Sequence, residues 1–420
     1  MCRRIGILAL LFLVPTFAAG DWLQFRGPGG LGVAADKNLP ITWSDSANLL
    51  WKTALPGPGS SSPIVVGNKI FVTCYTGYGL EANDPGAIAK LKRHLVCLDQ
   101  QGKILWTRDV VTDAADAPFV GSFITKHGYA SSTPVSDGKA IYCFFGVAGV
   151  VAFDLDGKQL WRISVGAGTN DWGSGSSPVL GGDHVIVNAA VESGALVALN
   201  KSDGNKAWEQ NGMVRSWVTP LVIDAKGRPE VVVSIENRLL AFDPKSGKEL
   251  WNCEGLADYV CPSLTAYDGV VFAIGARDNT AIAVRAGGTG DVTKTNLLWT
   301  LNRGSNVSSP VYHDGYLYWA SDNRGVVYCA DAKSGKLKYE ERLDPDADLI
   351  YASAFLGDGR IYYVSRNQGT YVVDAKPEFK QIAHNTFAND TSVFNGSPAP
   401  MAGKLLLRSN RYLYCVGKKQ

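Results

Sequence analysis

His127, Tyr129, Asp171, Trp172, Arg215, Trp217, Tyr259, Arg303 and Asn306 are the residues whose types and spacing suit ligand chemistry. They occupy short stretches that each run into a Ser/Thr-Pro or Cys-Pro step. Lys126-His127-Gly128-Tyr129 precedes Pro134, Asp171-Trp172-Gly173 precedes Pro178, and Arg215-Ser216-Trp217 precedes Pro220. Asp258-Tyr259 precedes Pro262, Arg303 and Asn306 precede Pro310, and Tyr351 and Asn395 hold the matching places further on. Side chains that recur at one place in a closed repeat can all point at one axis. Flat rings beside imidazole, amide, carboxylate and guanidinium groups are the mixture that lines small-molecule sites. The alternative is that Trp172, Trp217 and Tyr259 plug the centre or pack between units while the charges face water. No residue in the set is assigned a catalytic role.

Other chemistry is poorly supported. The five histidines, at 94, 127, 184, 313 and 384, show no H-x-x-x-H spacing, and there is no Cys-x-x-Cys, so no metal site is expected. Gly27-Pro28-Gly29-Gly30-Leu31-Gly32 satisfies G-x-G-x-x-G, but no strand precedes it and no helix follows, so it reads as a flexible loop and not as a nucleotide site.

The elements that must position these residues come from a repeat. The Pro steps recur at Pro63, Pro134, Pro178, Pro220, Pro262, Pro310 and Pro398, with Ser353-Ala354 filling the missing place, at intervals of 71, 44, 42, 42, 48, 44 and 44 residues. Inside the units a second signature recurs: Asp99-Gly102-Trp106, Asp154-Gly157-Trp161, Asn200-Gly204-Trp208, Asp243-Gly247-Trp251 and Asp331-Gly335-Tyr339. Asp or Asn bonds back to a turn, Gly supplies positive φ, and the aromatic four residues on points into a core as an anchor between sheets. Four short strands per unit of about 44 residues make a propeller blade. The fold class is therefore all-β: an eight-bladed β-propeller of four-stranded antiparallel blades. The last unit stops before its fourth strand, and Leu49-Leu50-Trp51-Lys52 resembles that strand, so an N-terminal strand is expected to join the C-terminal blade and close the ring.

Composition fits this reading. The chain has 420 residues, 46% hydrophobic and only 19% charged, with 46 Gly, 19 Pro and a net charge of +2, which excludes disorder and general polyanion binding. No nucleic-acid partner is expected. Arg3-Arg4, the apolar run Ile5 to Val14 and Ala18-Ala19-Gly20 read as a cleaved signal peptide over residues 1–20, leaving one domain over 21–420 in the periplasm or outside the cell, with no transmembrane helix in the mature chain. Removal of Cys2 leaves seven cysteines, too odd a set for a disulfide scaffold. Cys97, Cys329 and Cys415 align with Ala152, Ala198 and Ala241 as small packing residues, and Cys253 and Cys261 are left open as a pair. The first unit carries about 27 extra residues, in Tyr75 to Arg93 and Asp113 to Tyr129, with a basic cluster over Ile88 to Arg93 read as a solvated loop.

Ala241-Phe242-Asp243 to Gly247-Lys248-Glu249-Leu250-Trp251, with the Ser-x-Pro strand starts, resembles the pyrroloquinoline quinone (PQQ)-like repeat family over essentially the whole mature chain. The opening Asp21-Trp22-Leu23-Gln24-Phe25-Arg26-Gly27-Pro28 and Val284-Arg285-Ala286-Gly287-Gly288 resemble exported propellers of planctomycete-type bacteria. The resemblance implies two roles: quinoprotein dehydrogenases holding PQQ and Ca²⁺ in a central funnel, and cofactor-free scaffolds such as the outer-membrane barrel-assembly propeller lipoprotein. The chain departs from both. It has no Cys-Cys dipeptide of the kind that lies beside the quinone in the large alcohol dehydrogenases, and no lipidation cysteine after the apolar run. The expectation is a monomeric, non-catalytic binding or scaffold module of the cell envelope, without cofactor, whose partner is an envelope protein or a small-molecule or glycan ligand. The glycan reading rests on Trp172, Trp217 and Tyr259. The alternative is a PQQ/Ca-dependent dehydrogenase oxidising an alcohol or sugar, with Arg215, Arg303, Trp172, Trp217, Asp171 and Asn306 as its pieces.

Overall fold

A computed structural model describes residues 20–418 apart from 82, 113, 276 and 278, so the expected leader, except Gly20, lies outside the described residues. Eight sheets follow one another along the chain. They span residues 64–110, 135–163, 179–211, 221–254, 265–301, 311–342, 355–385 and 399–416, and we number them blades 1 to 8. The eighth is completed by Leu49–Ala54, which pairs antiparallel with Tyr412–Val416, so the ring closes as the repeat arithmetic requires. Two blades carry a fifth strand: Gly290–Asp291 adds to blade 4 and Val33–Ala34 to blade 7, both in parallel.

The Asp-Gly-Trp signature is a joint between blades. Each aromatic lies opposite a small residue of its own sheet: Trp106 opposite Cys97, Trp161 opposite Ala152, Trp208 opposite Ala198, Tyr339 opposite Cys329 and Trp51 opposite Cys415. The small side chain leaves room for the ring. That ring then covers the turn of the next blade. A Cβ on Gly102 would lie 2.6 Å from Trp51, and one on Gly204 2.7 Å from Trp161. The indole N–H donates to the same turn, from Trp51 to the Gln100 carbonyl and from Trp161 to that of Lys201, both at 2.9 Å. Gly thus supplies positive φ and also the close approach of a neighbouring ring. Blade 5 lacks the Asp-Gly turn, and its aromatic, Trp299, comes after an inserted segment that contains the short helix Thr293–Asn296.

A second joint closes around the axis. The backbone N–H of the residue at the start of each blade donates to the hydroxyl of the next: Ser62 to Thr133, Thr133 to Ser177, Ser177 to Thr219, and Thr219 to Ser263. The circle continues from Ser263 to Ser309, Ser353 and Ser397, and returns to Ser62. This corrects the repeat register in blade 5. The sequence punctuation points to Cys261-Pro262, but Ser263 holds the hydroxyl place and Leu264 the slot that Pro fills in six of the other blades and Ala354 in blade 7. Ser263→Ala leaves the buried Thr219 N–H without an acceptor, so it should cost about 1–3 kcal/mol. Cys261→Ala, which breaks no such bond, should cost less. Equal losses in chemical denaturation would return the place to Cys261.

The N-terminal segment, in which Gly27 to Gly32 reads from sequence as a flexible loop, is packed across the ring. Trp22 pairs with Val65 of blade 1, and the Leu23 carbonyl accepts from Ser136 of blade 2. The buried Arg26 guanidinium donates to the carbonyls of Leu264 and Pro310, in blades 5 and 6. Gly32 and Val33–Ala34 then join blade 7. A segment that touches blades 1 and 2 and then 5 to 7 must cross the axis, and it closes that end of the channel. Burial lowers the Arg26 pKa to about 9, with carbonyl oxygens in place of a carboxylate partner.

All seven described cysteines are free. Cys97, Cys329 and Cys415 are fully buried, as their repeat position requires. Cys253 packs in the core of blade 4, while Cys261 borders the axial cavity. Arg93 does not belong to a solvated basic cluster: it is 3% exposed and paired with Asp116 beneath the first-unit insertion.

Candidate functional site

The axial cavity opens at the end opposite the crossing segment and has a volume of about 180 Å³. Its walls carry all eight hydroxyls of the inner circle, and Phe25 of the crossing segment is among its lining residues. Of the nine candidate residues, His127, Trp172, Trp217, Tyr259 and Asn306 line it, together with Lys126, Tyr351 and Asn395. Tyr129, Asp171, Arg215 and Arg303 do not.

The lining residues are held by one another. Trp172 stacks on Phe123 at 4.3 Å and 10°, lies 6.4 Å from Tyr259, and Tyr259 meets Trp217 edge-on at 6.1 Å. The Trp217 indole donates to the Gly173 carbonyl at 2.7 Å, and the Asn306 amide donates to the Tyr259 hydroxyl at 2.8 Å. Asn395 donates to Ser60 Oγ and the Lys126 carbonyl. His127 Nε2 lies 2.5 Å from the Trp172 carbonyl, which fixes the proton on that nitrogen, so Nδ1 accepts from Ser131 Oγ at 2.5 Å. Burial lowers its pKa to about 4. The imidazole is therefore neutral near pH 7; Nε2 ties the first-unit insertion to the loop before blade 3, and Nδ1 is held by Ser131 of its own loop.

The remaining four candidates do other work. Tyr129 is buried with Tyr75, Tyr78 and Phe119 and donates to the Ala117 carbonyl at 2.8 Å, so it is the core of the insertion. The Asp171 carbonyl accepts from the Ile124 N–H while its side chain is exposed. Arg215, at φ 48, pairs with Asp258 and Glu236 and is half exposed. Arg303 pairs with Glu340 at 2.7 Å. The sequence showed the Ser/Thr-Pro steps as strand punctuation, and only the closed ring shows that their hydroxyls face the axis. Phe25 carries no repeat signal at all.

The donor set does not fit PQQ with Ca²⁺. That pair needs cations for three carboxylates and acidic or amide oxygens for the metal. Asn306 and Asn395 offer amide oxygens, but among the described residues no Asp or Glu lines the cavity, Lys126 is its one basic side chain besides neutral His127, and its volume is below the roughly 300–1,000 Å³ of sites for larger ligands. Among the described residues no group of three His, Cys, Asp or Glu is placed to hold a metal.

A family model described as outer membrane protein assembly factor BamB matches residues 76–212, about a third of the chain. No curated protein matches. Among solved structures, BamB from Moraxella catarrhalis superposes with a TM-score of 0.61 at 14% identity, over 89% of this chain and 98% of that one. Quinohemoprotein alcohol dehydrogenase from Comamonas testosteroni gives 0.66 at 11% identity, over 96% of this chain and 81% of that one. A europium-containing methanol dehydrogenase gives 0.66 at 11%, over 95% and 98%. At these identities the likeness is one of fold. Among the described residues no helix is long and apolar enough to cross a membrane. The chain is an eight-bladed β-propeller, and residues 76–212 of it match the BamB family model.

Proposed function

We propose that this protein is an exported, non-catalytic binding module of the cell envelope, with the blind axial cavity and the first-unit insertion as its contact surface. The observation that carries the reading is the lining itself: hydroxyls, amides and aromatic rings, no carboxylate among the described residues, and an imidazole with both nitrogens engaged. Such a lining can hold a ligand and presents neither a carboxylate nor a free imidazole as general base. The insertion adds Val120 and Phe123, 61% and 50% exposed, next to the mouth. The likeness to BamB supports an envelope setting, and the signal-peptide pattern supports export.

The competing reading is a quinoprotein dehydrogenase, and a thermal melt separates the two. The purified protein is heated with PQQ and Ca²⁺, separately and together, and assayed for dye-linked oxidation of alcohols and sugars. Selective binding at about 100 times Kd would add roughly 2.7 kcal/mol to native stability. The expected result is no shift and no dye reduction. A combined shift with turnover would overturn the non-catalytic reading.

A further inference from the structure

We infer that the axial cavity takes a single uncharged sugar ring, with the hydroxyl circle reading its oxygens and the aromatic mouth covering its C–H face. The inference rests on the non-catalytic binding reading and names the ligand class for that cavity.

The floor is the first argument. Each of the eight hydroxyls accepts one backbone N–H from the neighbouring blade, which fixes its oxygen in place. A hydroxyl engaged in this way still has its own O–H and a second lone pair. Ser353 donates to Ser309 Oγ at 2.9 Å, and the other seven hydroxyls donate to no protein group among the described residues. A ring of fixed groups that both donate and accept matches a molecule whose own oxygens do both. A purely apolar ring would leave those hydroxyls without partners.

Charge is the second argument. No charged side chain lines the floor: Lys126 is exposed at the mouth, His127 is neutral near pH 7, and the nearest buried guanidiniums, Arg26, Arg408 and Arg366, are turned onto backbone carbonyls of Leu264, Ser61 and Lys126. An anion or cation seated at that depth would give up hydration without a counter-charge. The ligand is therefore uncharged.

Shape is the third. Trp172, Trp217, Tyr259 and Tyr351 supply flat faces at the mouth, and about 180 Å³ leaves space for one ring-sized group. Because the crossing segment closes the far end, a longer chain can enter only by its terminal unit. The same chemistry describes a free monosaccharide and the terminal unit of a glycan.

The experiment uses the full chain as the cell exports it, with tryptophan fluorescence and calorimetry against glucose, galactose, N-acetylglucosamine, their methyl glycosides, and glucuronate as the charged comparator. Gly175→Leu is the key variant. Gly175 lines the cavity, has no positive φ, and a Cβ there would meet Trp217 at an ordinary 3.4 Å, so the added side chain fills the cavity without breaking a contact. The expected result is saturable binding of a neutral sugar, at least tenfold weaker binding of glucuronate, loss of binding in Gly175→Leu with an unchanged melt, and about tenfold weakening in Trp172→Ala. Methyl glycosides that bind as well as free sugars point to a glycan end, and their rejection points to a free monosaccharide. No neutral sugar binding, a preference for glucuronate, or binding that survives Gly175→Leu would each sink the inference. Dye reduction with PQQ would sink the non-catalytic reading itself, whereas sugar failure without turnover leaves that reading standing.

Discussion

A chain lacking residues 21–55 should lose its cooperative melt and aggregate. The segment supplies the fourth strand of blade 8, Leu49–Ala54, and the fifth strand of blade 7, Val33–Ala34. It also buries Trp22, Leu39 and Trp43 in the largest hydrophobic cluster, where blades 1, 7 and 8 meet. At about 1.5–3 kcal/mol for each fully buried large side chain, these three alone are worth roughly 4.5–9 kcal/mol. That is comparable with the whole stability of an ordinary domain, about 5–15 kcal/mol. The truncation would also bare Tyr412–Val416 as an edge ready to pair with another chain. Thermal circular dichroism with light scattering reads both effects. An unchanged cooperative transition would refute closure by the N-terminal strand.

Glu192→Gln should stabilise the protein by about 3 kcal/mol at pH 8 and leave it nearly unchanged at pH 4. The Glu192 side chain is 5% exposed, in the turn between His184–Ala189 and Ala195–Asn200. Ser174 Oγ donates to its carboxyl, and a Cβ on Gly146 would lie 3.3 Å from its Oε1, so it sits in a close-packed polar niche. Burial raises its pKa from 4.5 to about 7, against the smaller effect of the Ser174 bond. The native state therefore holds the proton more tightly than the unfolded chain. The contribution to stability is full below about pH 4.5 and is lost as the pH rises through about 7. A difference of that size corresponds to about 3 kcal/mol, and an amide, which still accepts from Ser174, removes the pH dependence. Urea unfolding of both proteins at the two pH values is the check. A gain of equal size at both, or a loss at pH 8, would show that Glu192 is not buried as an acid.

Much of the architecture was legible because its signals are local and repeated. Asp99-Gly102-Trp106 and its siblings encode a turn, a positive φ and an aromatic within eight residues, and the repetition raises each weak signal above chance. The register slip at Cys261-Pro262 shows where that reading stops. Two Ser/Pro-like steps lie within three residues, and only the hydrogen bond from Thr219 to Ser263 distinguishes them. The candidate site was legible in part for the same reason. Repeat position places Trp172, Trp217 and Tyr259 near the axis, yet it cannot separate Tyr129, which turns into the insertion core, from His127, two residues away, which lines the cavity.

The blade count, the strand order within a blade, the joining of the N-terminal strand to the last blade and the small packing residues at the Cys97, Ala152 and Ala198 places could be read from the sequence alone. All of these follow from short-range pattern and from counting. Which end of the channel is closed, which hydroxyls form the inner circle and which loop residues face the axis became visible only in the folded ring, together with the Trp–Cys and Trp–Ala pairings across strands. Those depend on contacts between distant segments, as where Arg26 reaches the Pro310 carbonyl 284 positions along the chain. Such a contact leaves no periodic trace, because a single arginine in a glycine-rich stretch has the same local signature whether it is solvated or buried across the ring.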